Sequence, residues 1–159
     1  MAAISRREFL ARCRTTGCAA AGVTVLGNAA SVWGTPANER FVMAVVGVRG
    51  RGSSLGPAFA ARKDCRVAYI CDVDARLFAS RGKLIADAQG GSQPTCVQDF
   101  RKALDDKSVD AMVIATPDHW HVPAAIWSCQ AGKDVYVEKP LSHNAREGRK
   151  LVDVARKYR

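Results

Sequence analysis

From Phe41 to Val137 the chain repeats one alternation: a short β-branched apolar run, a turn, then a stretch with helical periodicity. The first run, Phe41–Val46 (FVMAVV), is continuously apolar, as a strand buried on both faces requires. Glycines follow, and a helix is expected near Ser54–Lys63 with Leu55, Phe59 and Ala60 on its apolar side. Val67–Cys71 reads as the second strand. Asp74 is placed to cap a helix over Ala75–Ala88, whose apolar side takes in Leu77, Phe78, Leu84 and Ile85. A weak strand near Cys96-Val97 leads to a short helix ending at Asp105-Asp106. Ala111–Ala115 reads as the fourth strand, Pro123–Ala131 as a helix closed by Gly132, and Asp134–Val137 as the fifth strand. Ala145–Tyr158 is expected to be a final helix with Leu151, Val152, Val154 and Ala155 inward. Strands separated by helices pair in parallel, through right-handed crossovers.

The fold class is therefore α/β, a Rossmann-like, doubly wound parallel sheet in a single domain over residues 39–159. At 159 residues, 48% apolar and 25% charged, the chain supports one such core and is neither disordered nor collagen-like. The absence of a fixed period excludes a solenoid. The net charge of +9 invites a nucleic-acid reading, but its distribution argues against one. Residues 1–38 carry +3, residues 39–144 carry +2 and the last fifteen carry +4. The excess sits at the two ends, as an export signal and a solvated terminal helix would leave it. No nucleic-acid partner is expected.

Residues 1–38 read as an address. Ser5-Arg6-Arg7-Glu8-Phe9-Leu10 opens a basic region, and no charge follows Arg14 until Glu39. Cys18–Leu26 is a short, weakly apolar stretch, with small residues around Asn28-Ala29-Ala30 suited to cleavage. This resembles a twin-arginine export signal, S-R-R-x-F-L, with Ala11 where the pattern usually has Lys. Export to the periplasm is the expectation, and an uncleaved membrane anchor is the alternative. Stable insertion is disfavoured by four Gly, a Pro and many small residues between 15 and 38. Six cysteines suggest disulfides until their positions are weighed. Cys13 and Cys18 fall in the signal, while Cys65 and Cys71 bracket one strand, about 20 Å apart, too far to pair. Cys96 and Cys129 stand alone and no C-x-x-C occurs, so buried thiols serving as small apolar residues are expected.

Four places carry chemistry. Gly47-Val48-Arg49-Gly50-Arg51-Gly52 follows the first strand and opens a helix, where a dinucleotide pyrophosphate needs a tight turn and free N–H groups. Gly47 and Gly52 match G-x-G-x-x-G, and Arg49 takes the second glycine's position. Either Gly50 supplies the close approach one residue later, or the pyrophosphate sits further out. Asp72 closes the second strand, where a carboxylate accepts hydrogen bonds from the adenosine ribose and repels a 2′-phosphate. This favours NAD over NADP, a preference that Arg51 or Arg76 would soften.

Gly52-Ser53-Ser54-Leu55-Gly56 also fits the hydrolase elbow G-x-S-x-G, but Ser54 lies too far beyond the strand for one. The third place is Ala115-Thr116-Pro117-Asp118-His119-Trp120-His121, at the C-terminal edge of the fourth strand, where ligands of open α/β sheets bind. His119 and His121 form an H-x-H pair, but no third metal ligand with suitable spacing accompanies them. The fourth is Val137-Glu138-Lys139-Pro140, where a Lys beside a carboxylate is either a catalytic group or an ordinary ion pair.

T-P-D-H-W-H, then A-G-K-D-V-Y-V-E-K-P-L-S-H, then E-G-R-K-L-V resemble the Gfo/Idh/MocA oxidoreductases over about residues 40–159. The resemblance implies a nicotinamide cofactor and hydride exchange with a hydroxyl of a sugar or cyclitol. By position it implies that Gly47, Gly50 and Gly52, flanked by Arg49 and Arg51, hold the pyrophosphate and that Asp72 holds the ribose. It further implies that Thr116, Pro117 and His121 line the nicotinamide side, and that Glu138 and Lys139 face nicotinamide ribose and substrate. Lys139 would orient the reacting hydroxyl and stabilise charge as its proton leaves.

Members of that family continue into a second domain that supplies the substrate pocket, a proton-transferring His and usually the oligomer interface. A chain ending at Arg159 would lack these, leaving a half-site open to water. Three readings follow: part of an exported sugar or cyclitol oxidoreductase, a dinucleotide-binding module acting with a separate partner, or a glycosidase that uses NAD transiently.

Overall fold

The computed structural model describes residues 40–158, so the expected export signal over residues 1–38 lies outside the described residues. Five strands form one parallel sheet: β1 (Phe41–Val46), β2 (Cys65–Cys71), β3 (Thr95–Val97), β4 (Ala111–Ile114) and β5 (Asp134–Val137). Their order is β3-β2-β1-β4-β5. Order reverses beside β1, so the C-terminal ends of β1 and β4 flank the crevice where such sheets bind ligands.

Strand alternation divides the core between two faces. Met43 and Val45 of β1 point to one side, with Leu55 of α1 (Gly52–Ala60) and Ile85 of α2 (Phe78–Ala88). Ala44 and Val46 point to the other, with Ala103 of α3 (Arg101–Asp105), Val122 and Ala125 of α4 (His121–Gln130), and Leu151 of α5 (Ala145–Lys157). β1 and β4 are buried from Met43 to Val46 and throughout Ala111–Ile114, which is why both read as unbroken apolar runs. β5 alternates exposed and half-buried residues, and among the described residues its outer edge pairs with no strand.

The elements follow the expected order with local differences. α1 begins at Gly52, inside the glycine loop, and β2 begins at Cys65. The first turn after Asp74 is a 3₁₀ turn, Ala75–Leu77, capped as expected by the Asp74 carboxylate, which accepts the Arg76 N–H. Register slips once between β1 and β2: Met43 pairs with Val67 but Ala44 with Tyr69, so Ala68 is an extra residue. The slip reverses the side to which later β2 residues point, placing Ile70 with Val45 and Cys71 with Val46.

Two residues expected inside lie outside. Leu84 is 45% and Val152 36% exposed, because each sits about 100° around its helix from the residue that is buried, Ile85 and Leu151. All four described cysteines are free thiols, but only Cys65 and Cys71 are buried; Cys96, on the short edge strand β3, is exposed. Burial pushes the Cys71 thiol up to about 12. Gly56 lets α1 approach α2 closely, since a Cβ there would lie 2.8 Å from Ile85 Cδ1.

Candidate functional site: the C-terminal edge of the sheet

The glycine loop is dictated at two of its three glycines. Gly47 leaves β1 at φ +85°, and a Cβ on it would lie 2.7 Å from the Ala115 carbonyl oxygen. A Cβ on Gly52 would lie 1.8 Å from the Gly47 carbonyl oxygen. The loop thus closes on itself through Gly47–Gly52 contact and leans on the end of β4. Gly50 differs, since a Cβ there would meet nothing within 4 Å. Its exposed backbone leaves room for an anion at the loop crest, just before α1, although the Ser53 and Ser54 N–H groups there turn back to the Gly50 and Arg51 carbonyls at 3.0 Å each. Ser53 and Ser54 donate their hydroxyls to the Gly50 and Arg51 carbonyls at 2.7 and 2.9 Å. Ser54 therefore stands on a helix and not on a strained elbow, and the hydrolase arrangement is not formed.

Asp72 follows β2 and is tied to this loop. Its Oδ2 accepts the Val48 N–H at 2.9 Å and its Oδ1 accepts the Asp74 N–H at 3.0 Å. A cleft of about 710 Å³ opens beside it, walled by Gly47 and Asp72 on one side and by Thr116 and Pro117 on the other. Thr116 Oγ1 is buried in that wall and has no hydrogen-bond partner among the described residues. A buried hydroxyl left in this condition calls for a polar ligand.

The same cleft is lined by Trp120, part of the motif after β4, and by Phe100 and Trp127, which the sequence did not single out. Phe100 and Trp127 stack at 5.7 Å between ring centroids, and Trp120 meets Trp127 edge-on at 6.2 Å. The signal that finds Phe100 and Trp120 is their place just beyond β3 and β4, since residues there line the crevice. Size, an apolar aromatic wall and a few polar groups fit the adenosine half of a dinucleotide.

His121 lies at the start of α4 and is 2% exposed. Its Nδ1 is 2.7 Å from the Pro140 carbonyl oxygen and its Nε2 is 2.8 Å from the Thr116 carbonyl oxygen. It joins the two loops that follow β4 and β5 and has no ring nitrogen left over for a metal. His119 and His143 face the Asp118 carboxylate at 3.7 and 3.2 Å, and His143 is the main reason that carboxyl is lowered. Among the described residues no three His, Cys, Asp or Glu side chains are grouped to hold a metal ion.

Glu138 and Lys139 stand at the end of β5, with a cis peptide bond between Lys139 and Pro140. Glu138 Oε1 accepts from Arg51 Nε at 3.1 Å and from the Tyr136 hydroxyl at 3.1 Å. The Arg51 guanidinium, followed by the Tyr136 hydroxyl, holds the Glu138 carboxyl below its usual range. Arg51 thereby links the glycine loop to E-K-P. Lys139 is exposed, and its Nζ has no partner among the described residues. The Lys139–Glu138 ion pair, one of the two sequence readings, is not formed; Glu138 is paired with Arg51 instead.

An oxidoreductase family model, Gfo/Idh/MocA with an NAD-binding Rossmann fold, matches residues 41–159. A glycosyl hydrolase family 109 protein of Saccharopolyspora erythraea is 33% identical over 127 residues, covering 77% of this chain and 28% of its own length. A glycosyl hydrolase family 109 protein 2 of Shewanella sp. (strain ANA-3) is 31% identical over 172 residues, covering 98% of this chain and 38% of its own length. Among solved structures, GenD2 from gentamicin A biosynthesis in complex with NAD is similar at a TM-score of 0.65 and 30% identity. That likeness covers 76% of this chain and 32% of GenD2. The chain spans well under half the length of each of these relatives.

Proposed function

The chain belongs to the Gfo/Idh/MocA oxidoreductase family and is its NAD-binding Rossmann domain, and from that premise we propose that it is the dinucleotide half of an exported enzyme acting on a sugar or cyclitol hydroxyl. The observation that carries this reading is the convergence on one sheet edge of the open Gly50 crest, the orphaned Thr116 hydroxyl, the half-buried Glu138 and the exposed Lys139.

When bound, the nicotinamide supplies hydride acceptance or donation. The chain's own residues do the rest of what this half contributes. The α1 N-terminus and the loop crest at Gly50 bind the pyrophosphate, with the Arg49 and Arg51 backbone beside it and their guanidiniums turned to Asp74 and Glu138. Asp72 fixes the turn against which the adenosine ribose rests. Thr116 and Pro117 form the wall that separates the two halves, and His121 holds that wall to the E-K-P loop. Glu138 is set to accept from a ribose hydroxyl, and Lys139 donates to the reacting hydroxyl and stabilises charge as its proton leaves. Substrate, its pocket and the group that takes the proton belong to the rest of the protein, which is expected to be a homo-oligomer. The Ser5–Leu10 pattern supports periplasmic delivery by the twin-arginine route.

Calorimetry with NAD on the 159-residue chain tests the binding claim: saturable 1:1 binding is expected, and no heat at millimolar NAD overturns it. The Lys139 role is tested in the protein joined to its substrate domain. Lys139→Ala should lower kcat by about 100-fold or more with NAD affinity nearly unchanged; retention of most of the rate refutes the role.

A second reading is favoured by the family 109 glycosyl hydrolases among the relatives. There the same half-site would serve cleavage of a glycosidic bond, with the cofactor's redox state unchanged at the end. Aglycone release without accumulation of reduced nicotinamide supports the glycosidase; its accumulation with a free sugar supports the dehydrogenase.

A further inference from the structure

Apart from the cysteines, His121 and Ser128 are the buried polar side chains among the described residues. Ser128 donates to the Ala124 carbonyl one turn back, as a helical serine commonly does. His121 differs, because its two ring nitrogens meet the carbonyl oxygens of two separate loops, Nδ1 at 2.7 Å from Pro140 and Nε2 at 2.8 Å from Thr116. A carbonyl oxygen only accepts, so each contact needs a hydrogen on the ring nitrogen. Neutral imidazole carries one N–H and the imidazolium carries two. With only one, the other nitrogen points its lone pair at an oxygen within hydrogen-bond distance, and the two repel.

We propose that His121 holds a hydrogen on both ring nitrogens and, in that form, is the positioning residue that ties the E-K-P loop, and Lys139 with it, to the wall after β4. Its bearing on catalysis rests on the Lys139 reading above, whereas the two ring hydrogens do not. The Pro140 carbonyl belongs to the residue that follows Lys139, so holding it fixes the backbone from which Lys139 projects. The last backbone bond between β4 and β5 runs from the Glu138 N–H to the Ile114 carbonyl. Beyond it, among the described residues, the two loops are joined by hydrogen bonds only through the His121 ring and the exposed Asp118–His143 contact at 3.2 Å.

No carboxylate among the described residues stands at ion-pairing distance from the His121 ring. On the turn before α4, Asp118 faces His119 and His143; beyond β5, Glu138 is paired with Arg51 and Lys139 is exposed; on α5, Glu147 accepts from the Asn144 side chain. The ring's charge is met by the two carbonyl dipoles. Withdrawal from water and the N-terminal end of α4 oppose that charge, and two charge-assisted bonds favour it. This opposition makes the second hydrogen removable. Its loss frees one of the two loops, so raising the pH opens the nicotinamide side and lowering it closes that side.

The test records proton–nitrogen correlation spectra of the histidine rings and backbone amides in the isotope-labelled 159-residue chain, across about pH 5 to 8, where imidazoles titrate. Both His121 nitrogens should carry hydrogen at the acid end, and the Lys139 and Leu141 amide signals should shift together with the ring as it loses one. His121→Gln, which donates at only one end, should show the shifted amide signals at every pH, with circular dichroism as the check on its fold. The same variant should bind NAD about fivefold or more weaker, while adenosine monophosphate affinity changes less than about twofold. His143→Gln should keep the wild-type coupling of ring and amides. A His121 nitrogen without hydrogen across the whole range overturns the inference, as does a ring that titrates while the two amides stay still, or loss of the coupling in His143→Gln. A ring that keeps both hydrogens throughout supports it when His121→Gln moves the two amides and overturns it when they are unmoved. Failure of the wild-type chain to bind NAD overturns the dinucleotide reading, and the ring and amide signals then decide this inference by themselves.

Discussion

The loop after β1 and the end of β5 border the same cleft region but are built in opposite ways. Around the loop, the chain's own backbone consumes nearly every group: Gly47 packs on Ala115, Gly52 on Gly47, and Asp72 accepts two N–H groups. At the end of β5, half-buried Glu138 is held by the Arg51 and Tyr136 side chains and exposed Lys139 by none among the described residues. One half of the dinucleotide site is therefore part of what makes the domain fold, and the other half is surface chemistry added to a finished fold. Substitutions in the first half should read out mainly as stability, and those in the second mainly as function.

The sharpest way to break that contrast is Gly52→Ala. Its Cβ would sit 1.8 Å from the Gly47 carbonyl oxygen, so the loop must open. A loss of about 3 kcal/mol or more is expected in urea unfolding, with loss of NAD binding. Gly50→Ala is the matched control, because its Cβ meets nothing within 4 Å. It should stay within about 0.5 kcal/mol of wild type and weaken NAD binding alone. Equal stability losses in the two variants would end the distinction.

Asp72→Ala comes next. Two backbone donors lose their acceptor, and a loss of about 1–3 kcal/mol is expected.

A smaller effect should appear on acidification. The Asp74 and Asp99 carboxyls, each brought down to about 2 chiefly by the neighbouring Arg76 and Arg101, bind fewer protons folded than unfolded. Their contribution is full above the ordinary carboxylate value of 3.8 and is lost as pH falls from there through about 2. The midpoint denaturant concentration should decline across that window, and Asp74→Asn should make the decline shallower. Smallest of all, Lys139→Ala should leave the melting temperature of this chain unchanged.

The sequence made the sheet legible because burial on both faces leaves no freedom in composition. Phe41–Val46 could be bounded to the residue for that reason, and Asp134–Val137, an edge strand without such burial, by the glycine and charges around it. The slip at Ala68 left no such trace. Beyond Arg66 the strand is apolar on either register, so nothing local told which side Ile70 and Cys71 would take. Exposure of Leu84 and Val152 likewise depends on how far each helix is rotated against its neighbour, a tertiary quantity. The site followed the same rule. Gly47, Gly52 and Asp72 stand in a spacing that chemistry demands, and they meet as that spacing implies. Phe100, just before α3, and Trp127, in α4, meet only through the fold. Arg49 was visible as a departure from the glycine pattern, but its partner, Asp74, lies 25 residues on and was assigned only a capping role.

The outer edge of β5 bears on solubility. A free strand edge offers unpaired N–H and C=O groups to any other chain, and parallel sheets exposed in this way tend to grow by adding strands. Here the offer is small. The strand is four residues long, it alternates exposed and half-buried side chains, and Lys139 and Pro140 follow it closely. A charge repels a second copy of the same edge, and a proline has no N–H with which to continue a ladder. The motif proposed to serve the nicotinamide side thus also terminates the edge, and a substitution at Pro140 meant to probe the site would at the same time lengthen a surface on which chains can stack.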